Sequence, residues 1–129
     1  MAENSSNTAS GSHRSGVKRL IIMRHAEADW GLNDFDRPLT KRGHEQAAAA
    51  GAWLAARGYI PEQIMSSSAL RTRQTTTWVS DGLGAKAPTA HLDEGLYEVS
   101  ASRIISRINS VSENVHSLMV VSHLPGVQD

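Results

Sequence analysis

The chain has 129 residues, 13 Lys+Arg balanced by 13 Asp+Glu, and no cysteine. That length favours one domain. A formal charge of zero argues against a nucleic-acid surface, which needs surplus basic residues to displace counterions. Without thiols there are no disulfide staples, thiolate metal sites or cysteine nucleophiles, and a reducing, cytoplasmic setting fits.

Residues 1–16, "MAENSSNTASGSHRSG", are rich in Ser, Asn and Gly and carry no apolar stripe. Such a segment buries too little surface to offset its ordering entropy, so it is expected to be a flexible tail ahead of one domain over 17–129. It has no apolar core of a signal peptide, and no later stretch is long enough to span a membrane. "RLIIMR", 19–24, is a short β-branched run with charge at both ends, the pattern of a strand buried on both faces of a parallel sheet.

After a polar loop containing Gly31 and Pro38, Thr40 is placed to cap a helix running to Arg57. Ala47, Gly51, Leu54 and Gly58 form a narrow stripe of small residues on it, and Gly58 supplies the stop. A second strand is expected near 63–66. The next helix starts near Ala69 and closes at Gly82 and Gly84. Threonines 72, 75, 76 and 77 are poor helix formers, so tertiary packing has to support that helix.

"TAHLDEGLYEV" reads as a strand or an extended loop. Ser100 is expected to cap a third helix with Ile104, Ile105, Ile108 and Val111 on its inner face, and "SLMVVSH", 117–123, is a last buried strand. Strands alternating with helices predict a three-layer α/β/α sandwich around a mostly parallel sheet. "LPGVQD", after that strand, resembles the entrance to a further helix, so the domain is expected to be incomplete at its C-terminus.

Three expected strands end in polar residues: Arg24-His25, Ser66-Ser67-Ser68 and Ser122-His123. In open α/β sheets ligands bind at the carboxyl ends of the strands. Parallel strands would therefore bring His25 and His123 together across 98 positions of sequence. Arg71, near a helix start whose backbone N–H groups favour anions, would lean over the same crevice. Two arginines, two histidines and a helix N-terminus make a cationic pocket of phosphate size, and the guanidinium fork suits phosphoryl oxygens.

"RHAEA" at 24–28, "DRPLTKRG" at 36–43, "SSSALRTRQT" at 66–75 and "VVSHLPG" at 120–126 resemble the signature segments of the histidine phosphatase superfamily. Among its branches they are most similar to the SixA-type phosphohistidine phosphatases, with Ala26 where the Arg-His motif more usually continues with glycine. The resemblance implies a phosphatase in which His25 is the nucleophile, Arg24 and Arg71 clamp the phosphoryl group, and His123 donates to its oxygens. It implies turnover through a covalent phosphohistidine without metal or cofactor, and a phosphorylated protein or small phosphorylated molecule as partner. Larger members use a carboxylate general acid, for which Glu94 and Glu98 are the candidates. A phosphohistidine substrate needs less help, because its P–N bond is labile. Two alternatives stand beside this reading: a phosphomonoester phosphatase or mutase of the same superfamily, and an inactive phosphate-binding remnant.

Other polar groups read as structural. Arg73 is expected on a solvated face and Glu27 in water. Arg37 is expected to pair with Asp34 or Asp36, or to touch the phosphate rim. Trp53 and Trp78 read as packing residues, whereas Trp30 borders the site loop. "GHEQAAAA" lacks the second histidine of a zincin helix because Ala48 stands there, and His13, His91 and His116 have no ligand spacing.

Overall fold

The computed structural model describes residues 2–4, 17–30, 33–97 and 101–123. Its elements in chain order are β1 (Ala2–Asn4), β2 (Arg19–Arg24), α1 (Lys41–Ala56), β3 (Gln63–Ser67), α2 (Leu70–Leu83), β4 (Ala90–Asp93), α3 (Ala101–Asn109) and β5 (Ser117–Ser122). Short 3-10 turns occupy Asp34–Asp36 and Glu94–Leu96. The sheet order is β1-β2-β5-β3-β4. β2, β5, β3 and β4 run parallel, and β1 lies antiparallel along the β2 edge.

Alternation along the inner strands sends side chains to two cores, which makes three layers. Ile21, Met23, Met119, Val121 and Ile64 pack under α1 and α2, which contribute Ala47, Leu54, Val79 and Leu83. Leu118, Val120 and Met65 face the other way, onto Leu96, Ile104, Ile108 and Val111. These strands are buried on both faces, which accounts for their unbroken apolar sequence. No helix of the described residues is long and apolar enough to cross a membrane.

Three details depart from the sequence reading, one open alternative is resolved, and two readings fall outside the described residues. Ala2–Asn4, expected within a flexible tail, pairs with Leu20, Ile21 and Ile22; a ladder needs only backbone groups, so polar composition did not forbid it. "AHLD" is a strand, parallel to β3, where the sequence left strand and loop open. Ile105 is 57% exposed, because the 100° step per residue turns it out of the face that Ile104 and Ile108 bury. The Ser100 cap and "LPGVQD" lie outside the described residues. Gly82 does not close α2: the helix runs on to Leu83 and is capped by Gly84, at φ 95°.

Gly82 has a steric task instead. A Cβ there would collide with the Ala48 carbonyl of α1, and one on Gly51 of α1 would collide with the Val79 carbonyl of α2. The two helices thus cross at near backbone contact, and their small residues permit it. Thr40 caps α1 by accepting from the Gly43 N–H at 3.0 Å. Glu62 stitches β3 to β5, its Oε1 accepting from the backbone N–H of His116 at 2.6 Å and of Ser117 at 3.2 Å. Those bonds hold its carboxyl below the usual range.

Helix propensity alone predicts that Gly51→Ala or Gly82→Ala stabilises by up to about 1 kcal/mol. Steric overlap with a backbone carbonyl opposes this at about 1–3 kcal/mol and should prevail. Each variant is expected to show a lower urea midpoint with an unchanged m-value; a raised midpoint would refute the close crossing.

Candidate active site

The parallel register sets Arg24 beside Ser122 at the carboxyl end of the sheet. One residue further on, the His25 N–H donates to the Ser122 carbonyl at 3.1 Å, which extends the ladder and carries His25 and His123 out together. Their rings meet edge to face with centroids 5.6 Å apart. Arg71, in the first turn of α2, reaches the same point and donates from Nη2 to His123 Nδ1 at 3.0 Å. His25, Arg71 and His123 are thus brought together from three elements distant in sequence. Arg24, whose charge acts on both imidazoles, stands beside them on the exposed rim.

Hydrogen bonding sets the tautomers. Guanidinium can only donate, so His123 Nδ1 accepts, and the ring proton sits on Nε2, which donates to Ser67 Oγ at 2.9 Å. Both ring nitrogens of His123 are therefore engaged. In His25, Nδ1 lies 2.8 Å from the Ala26 carbonyl, an acceptor, so Nδ1 carries the proton and Nε2 keeps its lone pair.

Burial lowers the His25 pKa below 6.5, and Arg71, Arg24 and Arg37 lower it further against the opposing bond to Ala26. His123 is pushed down to about 4 by burial first, then by the charges of Arg71 and His25. Both imidazoles are neutral at pH 7.

The loop carrying His25 is pinned from both helices. Ala26 N–H donates to Thr75 Oγ1 at 3.0 Å, and the same hydroxyl donates back to the Arg71 carbonyl at 2.7 Å. Thr72 Oγ1 lies within bonding reach of the Ser67 and Ala69 carbonyls, fixing the β3–α2 corner. Two of the four threonines that weaken α2 as a helix, Thr72 and Thr75, are thus groups that tie it to the site, whereas Thr76 and Thr77 bond back along the helix. Leu39 N–H donates to Gln74 Oε1 at 2.8 Å, and Glu27 N–H to Gln46 Oε1 at 3.0 Å. Glu27, expected in water, has an exposed carboxylate that nevertheless accepts from Thr40 Oγ1 at 2.7 Å and pairs with Arg42 at 3.8 Å.

Arg71 is only 4% exposed, and its principal counter-charge is Asp34. Nη2 lies 3.1 Å from Asp34 Oδ2, and Nη1 donates to the Asp34 carbonyl. Tyr97 OH donates to the same Oδ2 at 2.6 Å, and Arg37 Nη1 lies 3.5 Å from Oδ1. The Tyr97 bond, followed by Arg71, holds the Asp34 carboxyl down to about 2. Arg37 thus takes the ion pair with Asp34, and its guanidinium also covers Trp30, 84% exposed, at 4.5 Å. Arg73 is exposed, as expected, and bonds the Ser68 carbonyl.

Glu94 opens its 3-10 turn at the end of β4 with an exposed side chain, and Glu98 lies outside the described residues. Three contributors escaped the sequence reading: Asp34 as the partner of Arg71, Tyr97 and Thr75. The signal for Asp34 was an acid shortly before Pro38 in the loop after the first buried strand, but no spacing rule ties it to Arg71. Beside His25 a recess of about 250 Å³ opens between β2 and the helices, lined by Arg24, Gln46, Ala47, Ala50 and Thr75 among others.

The family model of the histidine phosphatase superfamily (branch 1) matches residues 20–123. The chain belongs to that superfamily. An uncharacterized protein of Mycobacterium tuberculosis strain H37Rv is 40% identical over 105 residues, covering 80% of this chain and 63% of the relative. The chain therefore spans under two-thirds of that relative's length. A structure described as a candidate phosphohistidine phosphatase SixA from Agrobacterium tumefaciens superposes with a TM-score of 0.74 at 32% identity, over 82% of this chain and 69% of the other. The protein histidine phosphatase SixA complexed with tungstate gives 0.68 at 29% identity, with the same coverage of each chain.

The neutral state of His123 has a stability consequence. Its folded pKa of about 4 lies below the ordinary 6.5, so between these values the unfolded chain binds a proton that the folded chain does not. That contribution to stability is full above pH 6.5 and is lost as pH falls towards 4. Thermal melts of His123→Asn are expected to show a shallower decline over this window than the parent; parallel curves would contradict the assignment.

Proposed function

We propose that the protein is a phosphohistidine phosphatase that removes a phosphoryl group from a histidine borne on a protein, through a transient phosphohistidine on His25. The observation carrying this reading is the Nδ1 bond of His25 to the Ala26 carbonyl, which leaves Nε2 unprotonated on a ring that feels the charges of Arg71 and Arg24. Nε2 attacks phosphorus and the leaving imidazole takes the P–N electron pair; it departs neutral when its other ring nitrogen already carries a proton, and otherwise takes one from solvent water. Water then attacks the phosphorylated His25, releasing inorganic phosphate and restoring the imidazole. Arg24 and Arg71 hold the phosphoryl oxygens, and their charge offsets what builds up in the transition state.

The choice of a P–N substrate rests on two supports. One is the similarity to the SixA structures. The other is that Asp34, the carboxylate in contact with Arg71 among the described residues, is held down to about 2 and is ionised at neutral pH, so it does not serve as a proton donor. An ester leaving as alkoxide needs a general acid more than a labile P–N bond does. No long insertion separates Arg71 from His123 in the sequence, which suits an open site and a protein-borne phosphoryl group.

His25→Ala is expected to abolish turnover and phosphoenzyme formation, while Arg24→Ala and Arg71→Ala each cost on the order of a hundredfold in kcat. Acid-quenched protein should carry acid-labile label on His25. Label elsewhere, or full activity of His25→Ala, would overturn the reading, and a kcat/KM on sugar phosphates above that on phosphohistidine would assign the chain to ester hydrolysis.

The pH profile provides a separate check. Protonated imidazole cannot attack, so the rate should hold through neutrality and fall below pH 6.5 as the depressed pKa of His25 is crossed. A rate that rises steadily towards pH 5 would exclude a histidine nucleophile.

A further inference from the structure

The cations of the pocket fit a phosphoryl dianion, yet an acid stands among them. Asp34 is presented by the 3-10 turn Asp34–Asp36, and its N-cap Asn33 accepts from the Asp36 N–H at 3.1 Å, which fixes the turn. Its carboxylate lies 3.1 Å from Arg71 Nη2, a guanidinium that also serves His123 Nδ1 at 3.0 Å. Both Nη2 protons are therefore committed. The Asp34 carbonyl takes one of the two on Nη1. A phosphoryl oxygen reaching Arg71 can use the remaining Nη1 proton or the Nε–H, unpartnered among the described residues, and to reach Nη2 it must displace the carboxylate.

Displacement would not send the charge away. Tyr97 OH holds the same Oδ2 at 2.6 Å, and Arg37 lies 3.5 Å from Oδ1, so two groups other than Arg71 retain it at the pocket. Phe35, the next residue, packs edge to face on Tyr97 with centroids 5.2 Å apart, and Tyr97 packs on His123 at 5.3 Å. A fixed negative charge thus accompanies whatever phosphoryl group the arginines grip.

We propose that Asp34 is a specificity-determining residue that disfavours substrates carrying a second anion beside the scissile bond and admits those whose leaving group is uncharged or cationic. This deepens the proposed function and rests on its reading of the pocket as a phosphoryl site. The physical basis is like-charge repulsion at short range from a carboxylate that, though 44% exposed, is held at the pocket by Tyr97 and Arg37. Selectivity of this kind comes from a repulsive element as much as from attractive contacts. An imidazole or a peptide-borne histidine passes such a filter, and a phosphorylated carboxylic acid does not.

Glycerol 3-phosphate and 3-phosphoglycerate isolate the effect, because they differ in a hydroxymethyl group against a carboxylate. Asp34→Asn keeps the oxygen that accepts from Tyr97 and Arg71 while removing the charge. The ratio of kcat/KM, glycerol 3-phosphate over 3-phosphoglycerate, is expected to fall by about fivefold or more in Asp34→Asn, with Asp34→Ser moving it in the same direction. A residue that merely holds Arg71 in place would change both esters alike, so a ratio that shifts by less than this, whatever the overall rate, overturns the proposal.

If turnover of either ester is too slow to measure, calorimetric affinities of both for His25→Ala and for His25→Ala/Asp34→Asn give the same ratio. The comparison is between two esters, so it reads Asp34 independently of whether phosphohistidine is the preferred substrate.

Discussion

The site depends on the parallel pairing of β2 with β5. Leu20 lies opposite Leu118, and each later step keeps like beside like until Arg24 meets Ser122. Both strands send alternate residues into two cores, so a slip of one position would exchange the contents of both faces. Register is therefore fixed by apolar packing well inside the molecule, and the polar residues that follow inherit it. His25 and His123 arrive side by side because Ile21, Met23, Met119 and Val121 fit under α1 and α2 while Leu118 and Val120 fit against α3.

Arg71 is the costliest group that this arrangement accommodates. Moving a cation out of water costs several kcal/mol even after relaxation, and only charge-assisted hydrogen bonds offset it. The compensation is uneven. Arg71 is buried, whereas the Asp34 side chain is 44% exposed and keeps much of its own hydration. His123 supplies a further acceptor, but only as a neutral ring, which agrees with its pKa falling to about 4. Nε of Arg71 is buried without a hydrogen-bond partner among the described residues, so the guanidinium is not fully satisfied by the protein. Stability and anion affinity pull on the same side chain.

Much of this was legible from residue pattern. Buried parallel strands announce themselves as unbroken apolar runs with polar exits, and β2, β3 and β5 stand where those runs are. Thr40 and Gly84 mark helix ends because capping is local chemistry. What local chemistry does not encode was harder to read. Gly82 passes for a helix stop until its crossing with Ala48 is seen, and Ile105 passes for core until α3 is set on the sheet. Ala2–Asn4 pairs through its backbone, about which composition says little. Asp34 and Tyr97 belong to loops 63 residues apart, and only the folded chain joins them in the hydrogen bond that holds the partner of Arg71.

On the proposed reading, one set of charges meets two requirements that are often in conflict. A histidine nucleophile must stay unprotonated, while its partner, a phosphoryl dianion, must be attracted. A carboxylate oriented on His25 Nδ1 would favour the protonated ring and repel the substrate. Here the orienting acceptor is a neutral carbonyl, that of Ala26, which fixes the tautomer at a smaller penalty. The arginines then lower the proton affinity of His25 by the same field that draws in the phosphoryl group. Asp34 opposes that field locally at Arg71, limiting the surplus of positive charge that a buried guanidinium would otherwise leave in the pocket. The balance between these two terms, and not the imidazole alone, sets how strongly the site holds an anion and how readily it lets phosphate go.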